Sequence, residues 1–258
     1  AEARRGRVRG WLPWGAAATA IALLIIAIGA GGADFPGQPG STSIARAAEP
    51  LVTQRGEIRS FRLADGSSAT LDTDSRLDVA FGDGDRRVRL IKGRVRLSIA
   101  KQDFPLRIDA GQGVTIANDA EIDLSLDEAG TVRAALRRGE AELRADATVG
   151  PAMALSHGQM LTYRRDGRSQ VDVARASDIP ASWPEGWAEY RSIRLDRLIA
   201  EANRYAVIPI VIDDAASAEL EVSGRFHLSE TDAFADRVSR LFGLKLERKG
   251  DPLHLRRG

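Results

Sequence analysis

Three histidines and two closely spaced aspartate pairs are the residues of this chain best suited to chemistry. His157, His227 and His254 lie far apart in sequence, with no metal-ligand spacing between them. Asp72-x-Asp74 and Asp83-x-Asp85 bring carboxylates close together. Neither pair runs on into the further oxygen ligands of a calcium loop, and both fall in turns, where aspartate is favoured for its own hydrogen bonds. There is no Gly-x-Ser-x-Gly elbow and no Walker loop, and Gly111-Gln112-Gly113 is too short to cradle a phosphate. These residues therefore point away from an enzyme, with no catalytic set, no cofactor and no metal.

The elements that carry them are organised around Leu90-Ile91-Lys92-Gly93-Arg94-Val95-Arg96-Leu97-Ser98-Ile99. Apolar Val95, Leu97 and Ile99 alternate with polar Arg94, Arg96 and Ser98, the period of a strand with one face on a core and one in water. Gly93 reads as the end of one strand and the start of the next. Worn copies of the phrase follow Gly56, Gly139 and Gly158, each at a place where the chain must turn with positive φ. Arg94 and Arg96 could form a basic face, but Glu140 and Glu142 hold the matching slots of a later copy, so a solvated face of mixed sign is expected. Leu77, Val79 and Phe81, then Leu106 and Ile108, form further alternating sets, and no helix is expected here. The uneven spacing of the copies implies a mainly-β body of stacked strands, sandwich or solenoid-like, over residues 51–174.

Upstream, Arg4, Arg5, Arg7 and Arg9 precede an uncharged run whose apolar centre is Ile21–Ile28. Residues 11–32 can cross a hydrocarbon core of roughly 30 Å as one helix. The preceding arginines orient residues 1–10 to the cytoplasm as a tether, and Trp11 and Trp14 suit an interfacial belt. The alternative is a cleaved signal peptide, since Ala45-Arg46-Ala47 resembles a cleavage site, although it lies far beyond the apolar run. Residues 33–50 are Pro/Gly/Ser-rich and read as a linker. The chain starts at alanine, which implies an upstream segment. Lys plus Arg (37) nearly balances Asp plus Glu (36) over 258 residues, and aromatic content is 5%, which argues against a nucleic-acid surface. The absence of cysteine excludes disulfides without fixing a compartment.

After the body, Trp183 and Trp187 bracket a turn-rich joint within residues 175–188, either as a partner-binding pair or as packing between two domains. The period then becomes helical: Leu195, Leu198, Ile199 and Ala202 share one helix face. A strand at Ile208–Ile212 and another at Leu220–Leu228 follow. Ser229 is the expected N-cap of a helix carrying Phe234, Val238, Leu241 and Phe242, with Gly243 as its stop. A hairpin closes the chain, so residues 189–258 read as a small α+β domain, roughly β-α-β-β-α-β-β. Its strand at 220–228 turns Glu221, Ser223, Arg225 and His227 outward. If that strand lies at a sheet edge, these four are the candidate partner-binding residues; an ordinary solvated face is the alternative.

Gly56-Glu57, Leu63-x-Asp65-Gly66-Ser67, Leu90-x-x-Gly93, Phe104-Pro105-Leu106-x-Ile108-x-Ala110 and Leu136-x-x-Gly139 occur in an order and spacing that resembles the FecR domain. The tail, with Leu195-x-x-Leu198-Ile199 and Val222-Ser223-Gly224-x-Phe226, resembles the short secretin/TonB N-terminal domain. The resemblance implies a single-pass inner-membrane regulator whose periplasmic bulk hears the N-terminal domain of an outer-membrane TonB-dependent transducer. It also implies a cytoplasmic domain, upstream of residue 1, that engages an extracytoplasmic-function sigma factor. A periplasmic binding or scaffold protein, associated for example with cell-wall glycan, is the alternative from another class.

Some members of the resembled family cut their own backbone between Gly and Thr in a Gly-Thr-x-Phe-x-Val stretch, the threonine hydroxyl attacking the preceding carbonyl. The matching stretch here is Asp119-Ala120-Glu121-Ile122-Asp123-Leu124, which keeps the apolar slots and lacks the hydroxyl. The one Gly-Thr pair nearby, Gly130-Thr131, falls in the next turn. Purified residues 34–258 should therefore keep their full mass through days of incubation; a fragment beginning at Ala120 would overturn this, and one beginning at Thr131 would displace the alignment.

Overall fold

The structure, a computed structural model, describes residues 50–82, 84–164, 179–248 and 250–257, together with the backbone of strands Ser43–Ile44 and Asp172–Arg175. All of these belong to one compact unit, residues 36–258. The expected tether (1–10) and membrane run (11–32), most of the linker at 33–50, and Asp83 lie outside the described residues. Among the described residues no helix is long and apolar enough to cross a membrane.

The body is all strand. It begins with β1 (Ser43–Ile44), β2 (Leu51–Val52), β3 (Arg59–Arg62), β4 (Ser68–Leu71) and β5 (Arg76–Gly82). The long β6 (Asp85–Ile99) is followed by β7 (Leu106–Ala110), β8 (Gly113–Ala117) and β9 (Ala120–Leu126). The rest are β10 (Thr131–Arg138), β11 (Ala141–Arg144), β12 (Met153–Leu155), β13 (Gln159–Arg164) and β14 (Asp172–Arg175). They form two sheets that share β6. The first half of β6 pairs antiparallel with β5 and parallel with β7, in the sheet β2-β5-β6-β7-β8-β11-β12. Its second half pairs antiparallel with β4 and β9, in the sheet β1-β3-β4-β6-β9-β10-β13-β14. Leu77, Val79, Val88, Leu90 and Ile108 of one sheet meet Val95, Leu97, Ile99, Ile122 and Leu124 of the other in a single core. A register slip of one residue would turn such a set outward, at about 1.5–3 kcal/mol per side chain, so the alternation fixes the pairing.

Two expectations change here. Gly93 does not end a strand: with φ of 84° it lets one strand turn from the first sheet into the second without a break. A Cβ at Gly93 would sit 2.1 Å from Ser75 Oγ and 2.7 Å from its Cα, so the crossing is also too tight for a side chain. The stretch read as pure linker contributes β1, which pairs parallel with Phe61–Arg62, because the edge of β3 accepts any extended neighbour.

The C-terminal domain runs β15 (Trp187–Arg194), α1 (Leu195–Asn203), β16 (Ile210–Ile212), α2 (Ala215–Ala218), β17 (Glu221–His227), α3 (Thr231–Phe242), β18 (Leu244–Glu247) and β19 (Leu253–Arg257). This is the order read from the sequence with a one-turn helix added, which Asp214 caps by accepting from Ser217 N at 2.8 Å. β15 pairs with β17, and β16-β19-β18 form a second small sheet. Leu195, Leu198, Ile199 and Ala202 of α1 join Phe234, Ala235 and Val238 of α3 in a second core. Gly243 closes α3 with φ of 63°, but the N-cap is Glu230 rather than Ser229, and no side chain caps that end.

Gly93 and Gly158 have similar positive φ, yet nothing lies within 4 Å of a Cβ at Gly158. Gly158→Ala is expected to cost about 1 kcal/mol of backbone strain. Gly93→Ala adds steric overlap and should cost about 2–5 kcal/mol in denaturant unfolding. Equal losses would contradict the crossing-point geometry.

Candidate functional site

The outer face of the sheet that holds β4, β9 and β10 was expected in water. The structure covers it instead, with the joint at 179–186 and the C-terminal domain. Under that cover sit two fully buried carboxylates, each held by two arginines. Asp123, between Ile122 and Leu124 in β9, faces away from the core because side chains alternate along a strand. It accepts Arg96 Nε at 2.7 Å, Arg96 Nη2 at 2.8 Å and Arg137 Nε at 2.8 Å. Asp72, just beyond β4, accepts Arg94 Nε at 2.8 Å and Arg204 Nη2 at 2.9 Å. Arg94 Nη2 donates to the hydroxyl of Tyr205 at 3.0 Å. Arg94 and Arg96 thus lie in a covered seam rather than on the expected solvated face, whereas Glu140 and Glu142 of the later copy are exposed as expected.

Trp183 completes the seam. It is 1% exposed and packs with Ala135, Met160 and Ile179. Its ring lies 4.7 Å from the Arg94 guanidinium carbon and 5.6 Å from that of Arg96, where the π face attracts cations. Trp183 thus packs the joint onto the body, against residues of β10, β13 and β6. Arg137 Nη2 ties the joint down by donating to Ile179 O at 2.6 Å. From the far side, Thr73 Oγ1 donates to Arg204 O at 3.1 Å and accepts Gly56 N at 2.8 Å.

Burial works against the charge on Arg94, but adjacent Asp72 outweighs it and holds the guanidinium above its usual pKa. For Arg96 burial is likewise outweighed, by the hydrogen bonds and charge of Asp123. Burial, then Asp72, pushes the Tyr205 phenol up, and burial raises Tyr190 to about 12. Arg94 and Arg96 are thus charged, and Tyr205 and Tyr190 neutral, throughout the physiological range. The contacts of the seam tie the joint and the C-terminal domain to the body, through Arg137 to Ile179 and through Asp72, Thr73 and Arg94 to Arg204 and Tyr205.

The candidate partner residues lie elsewhere, on β17. Glu221, Ser223 and Arg225 are exposed and His227 is half-buried. β17 pairs with β15 on one side, and no other described strand pairs with it. Leu228 N donates to Gly186 O at 2.8 Å and Leu195 N to Leu220 O at 2.7 Å. That alternation aims the main-chain groups of 221, 223, 225 and 227 away from β15. Trp187 belongs to this ribbon rather than to the seam. Arg225 lies 4.6 Å over its ring, and His227 meets it edge-on at 4.5 Å. The margin at β16 differs: Asn203 Nδ2 donates to Ile210 O, and Ile210 N donates to Asn203 Oδ1, both at 2.8 Å. A side-chain amide already fills the place of a next strand there.

Asp119 and Ala120 sit at the turn into β9. Asp119 has φ of 47° and accepts Arg138 Nη1 at 2.8 Å, and Ala120 is buried. The hydrogen bond from Arg138 lowers the pKa of the Asp119 carboxyl. Of the aspartate pairs, Asp72 is consumed by arginines and Asp74 by Lys92. Asp72 stood out in the sequence only as one of a carboxylate pair and Asp123 only within the 119–124 stretch, while Arg137, Arg204 and Tyr205 carried no signal there. The available signal was an aspartate flanked by apolar residues within a strand, as in Ile122-Asp123-Leu124.

A mainly-β body with a small α+β domain locked onto its outer face is the class this structure defines. Residues 49–142 match the family model for FecR protein, so the chain carries a FecR domain. Two crystal structures of a candidate anti-sigma factor from Parabacteroides distasonis, at 1.65 and 2.50 Å resolution, share the fold with a TM-score of 0.63 each. They are 15% and 14% identical to this chain and cover 81% of it and 99% of their own chain, so the shared fold runs on past the matched segment. No curated protein matches the chain in sequence.

Removing one member of a buried ion pair strands the other. Asp72→Ala should therefore cost about 3–5 kcal/mol in denaturant unfolding. Arg204 is 32% exposed, so Arg204→Ala should cost at most about 1 kcal/mol while raising hydrogen exchange around Trp183. Unchanged exchange at Trp183 in Arg204→Ala would show that this contact does not hold the seam.

Proposed function

We propose that this chain is the anchoring and sensing part of a membrane-bound sigma-factor regulator. Arg4, Arg5, Arg7 and Arg9 hold its N-terminus in the cytoplasm, residues 11–32 span the inner membrane, and the FecR body and C-terminal domain lie in the periplasm. The sigma factor is engaged by a cytoplasmic domain ahead of the tether. The signal arrives from the periplasmic N-terminal domain of an outer-membrane TonB-dependent transducer, which adds a strand to β17 opposite Glu221, Ser223, Arg225 and His227.

The observation that carries this reading is the seam. The FecR domain is joined to its C-terminal neighbour by Asp72, Arg94 and Arg204, while β17 keeps exposed ions and outward main-chain groups. A module so joined can take a contact at β17 and pass it to the body. The fold shared with a candidate anti-sigma factor points the same way. All of the site's chemistry is hydrogen bonding and charge pairing, which suits relay by protein contact.

Two measurements test it. A phosphatase active only outside the cytoplasm should work when fused after Gly258 and fail when fused before Arg4; a soluble chain starting near Ala48 would overturn the anchor. The transducer's N-terminal domain should bind the immobilised chain. The double variant Glu221→Lys with Arg225→Glu should weaken that binding about tenfold, since each cross-strand ion pair becomes a mismatch. Unchanged binding would remove β17 from the reading.

A further inference from the structure

The free margin of β17 is complementary to itself. Its outward residues at 221, 223 and 225 are acidic, neutral and basic in order, and all three are exposed. Among the described residues neither Glu221 nor Arg225 has an ion-pair partner within the molecule. Glu221 accepts one hydrogen bond, from Ser192 Oγ at 2.8 Å, and Arg225 rests on the Trp187 ring. Two ions four residues apart on one strand cannot reach each other, since the strand rises roughly 3.4 Å per residue. An antiparallel second strand could satisfy both.

We propose that two copies of the chain associate edge to edge through β17, antiparallel, about a two-fold axis at Ser223. That register faces Ser223 with Ser223, and it faces each Glu221 with Arg225 of the second copy. An isologous contact repeats every pairing, so one chain's acid–base order supplies two cross-strand ion pairs. An axis at Glu221 or Arg225 would instead face like charges. The main-chain groups of 221, 223 and 225 already point outward, so the ladder forms with no rearrangement, and the two β15-β17 ribbons become one four-stranded sheet. The margin at β16 cannot do this, because Asn203 occupies it. This association needs no transducer. It uses the edge that the transducer is proposed to use, so the two contacts exclude each other.

The chain has no cysteine, so an introduced one reports alone. Directly opposed residues of a hydrogen-bonded antiparallel pair have Cα atoms about 5.5 Å apart, inside the range a disulfide spans. In the full chain in mild detergent, Ser223→Cys should oxidise to a covalent dimer, whereas Ser156→Cys, exposed on the body, should stay monomeric. Adding Arg225→Glu to Ser223→Cys should cut the dimer yield about tenfold, and adding Glu221→Lys as well should restore it. Sedimentation of the cysteine-free Arg225→Glu chain and the double-reversed chain should show the same loss and recovery, independently of whether the cysteine variant folds. Equal cross-linking at Ser156, or a yield and sedimentation indifferent to charge, would overturn the proposal. Because the double reversal restores self-association but weakens transducer binding, failure of one reading is distinguishable from failure of the other.

Discussion

A guanidinium that cannot give up its proton is buried beneath a second domain, and the seating of that domain on the body follows from satisfying it. Arg94 leaves the core-facing pattern of β6 on the side where a strand ordinarily meets water. Asp72 neutralises it, Trp183 offers a π face, and the Tyr205 hydroxyl accepts a hydrogen bond from its Nη2. Each of these groups comes from a different place in the chain, so the ion assembles the body, the joint and the turn that follows α1. Such a pair adds little net stability, because both charges were well solvated before folding. Its value is positional: other ways of setting the C-terminal domain on the sheet would leave a buried charge without a partner.

The two modules keep separate apolar cores, and what joins them is chiefly polar, apart from Trp183 and Ile58. Polar joints between domains are the kind that can open and close. The C-terminal domain also treats its sheet margins unequally. At β16 the amide of Asn203 substitutes for a missing strand, next to exposed Val207, Ile208 and Val211, where an open edge would invite indiscriminate pairing. At β17 the main chain stays available, with ions rather than apolar side chains beside it. Of these two margins, that at β16 is closed and that at β17 is left selective.

Much of this architecture was legible in the sequence. The period of two marked the body strands, the helical period of Leu195, Leu198, Ile199 and Ala202 marked α1, and the glycines before strands do take positive φ. FecR-like spacing of the turns was visible as well, and residues 49–142 carry that domain. The seam was not legible, for a physical reason. Alternation says that a strand has two faces and that one is apolar; it does not say what covers the other. Arg94 and Arg96 read as solvated because arginine usually is, and only the pairing of β6 with β9 places Arg96 against Asp123. Gly93 was misread because a positive φ bends a strand as readily as it ends one.

The continuity of β6 has a mechanical consequence. Two sheets packed only through side chains can slide or peel apart, since their contact is a layer of weak, interchangeable neighbours. Here fifteen residues of unbroken backbone belong to both sheets in turn. Tension on either sheet is therefore carried along covalent bonds into the other, and the sandwich yields as one piece or not at all. For a body with a second domain latched on its face, that makes β6 a stiff lever: displacement at the second sheet is felt at the first.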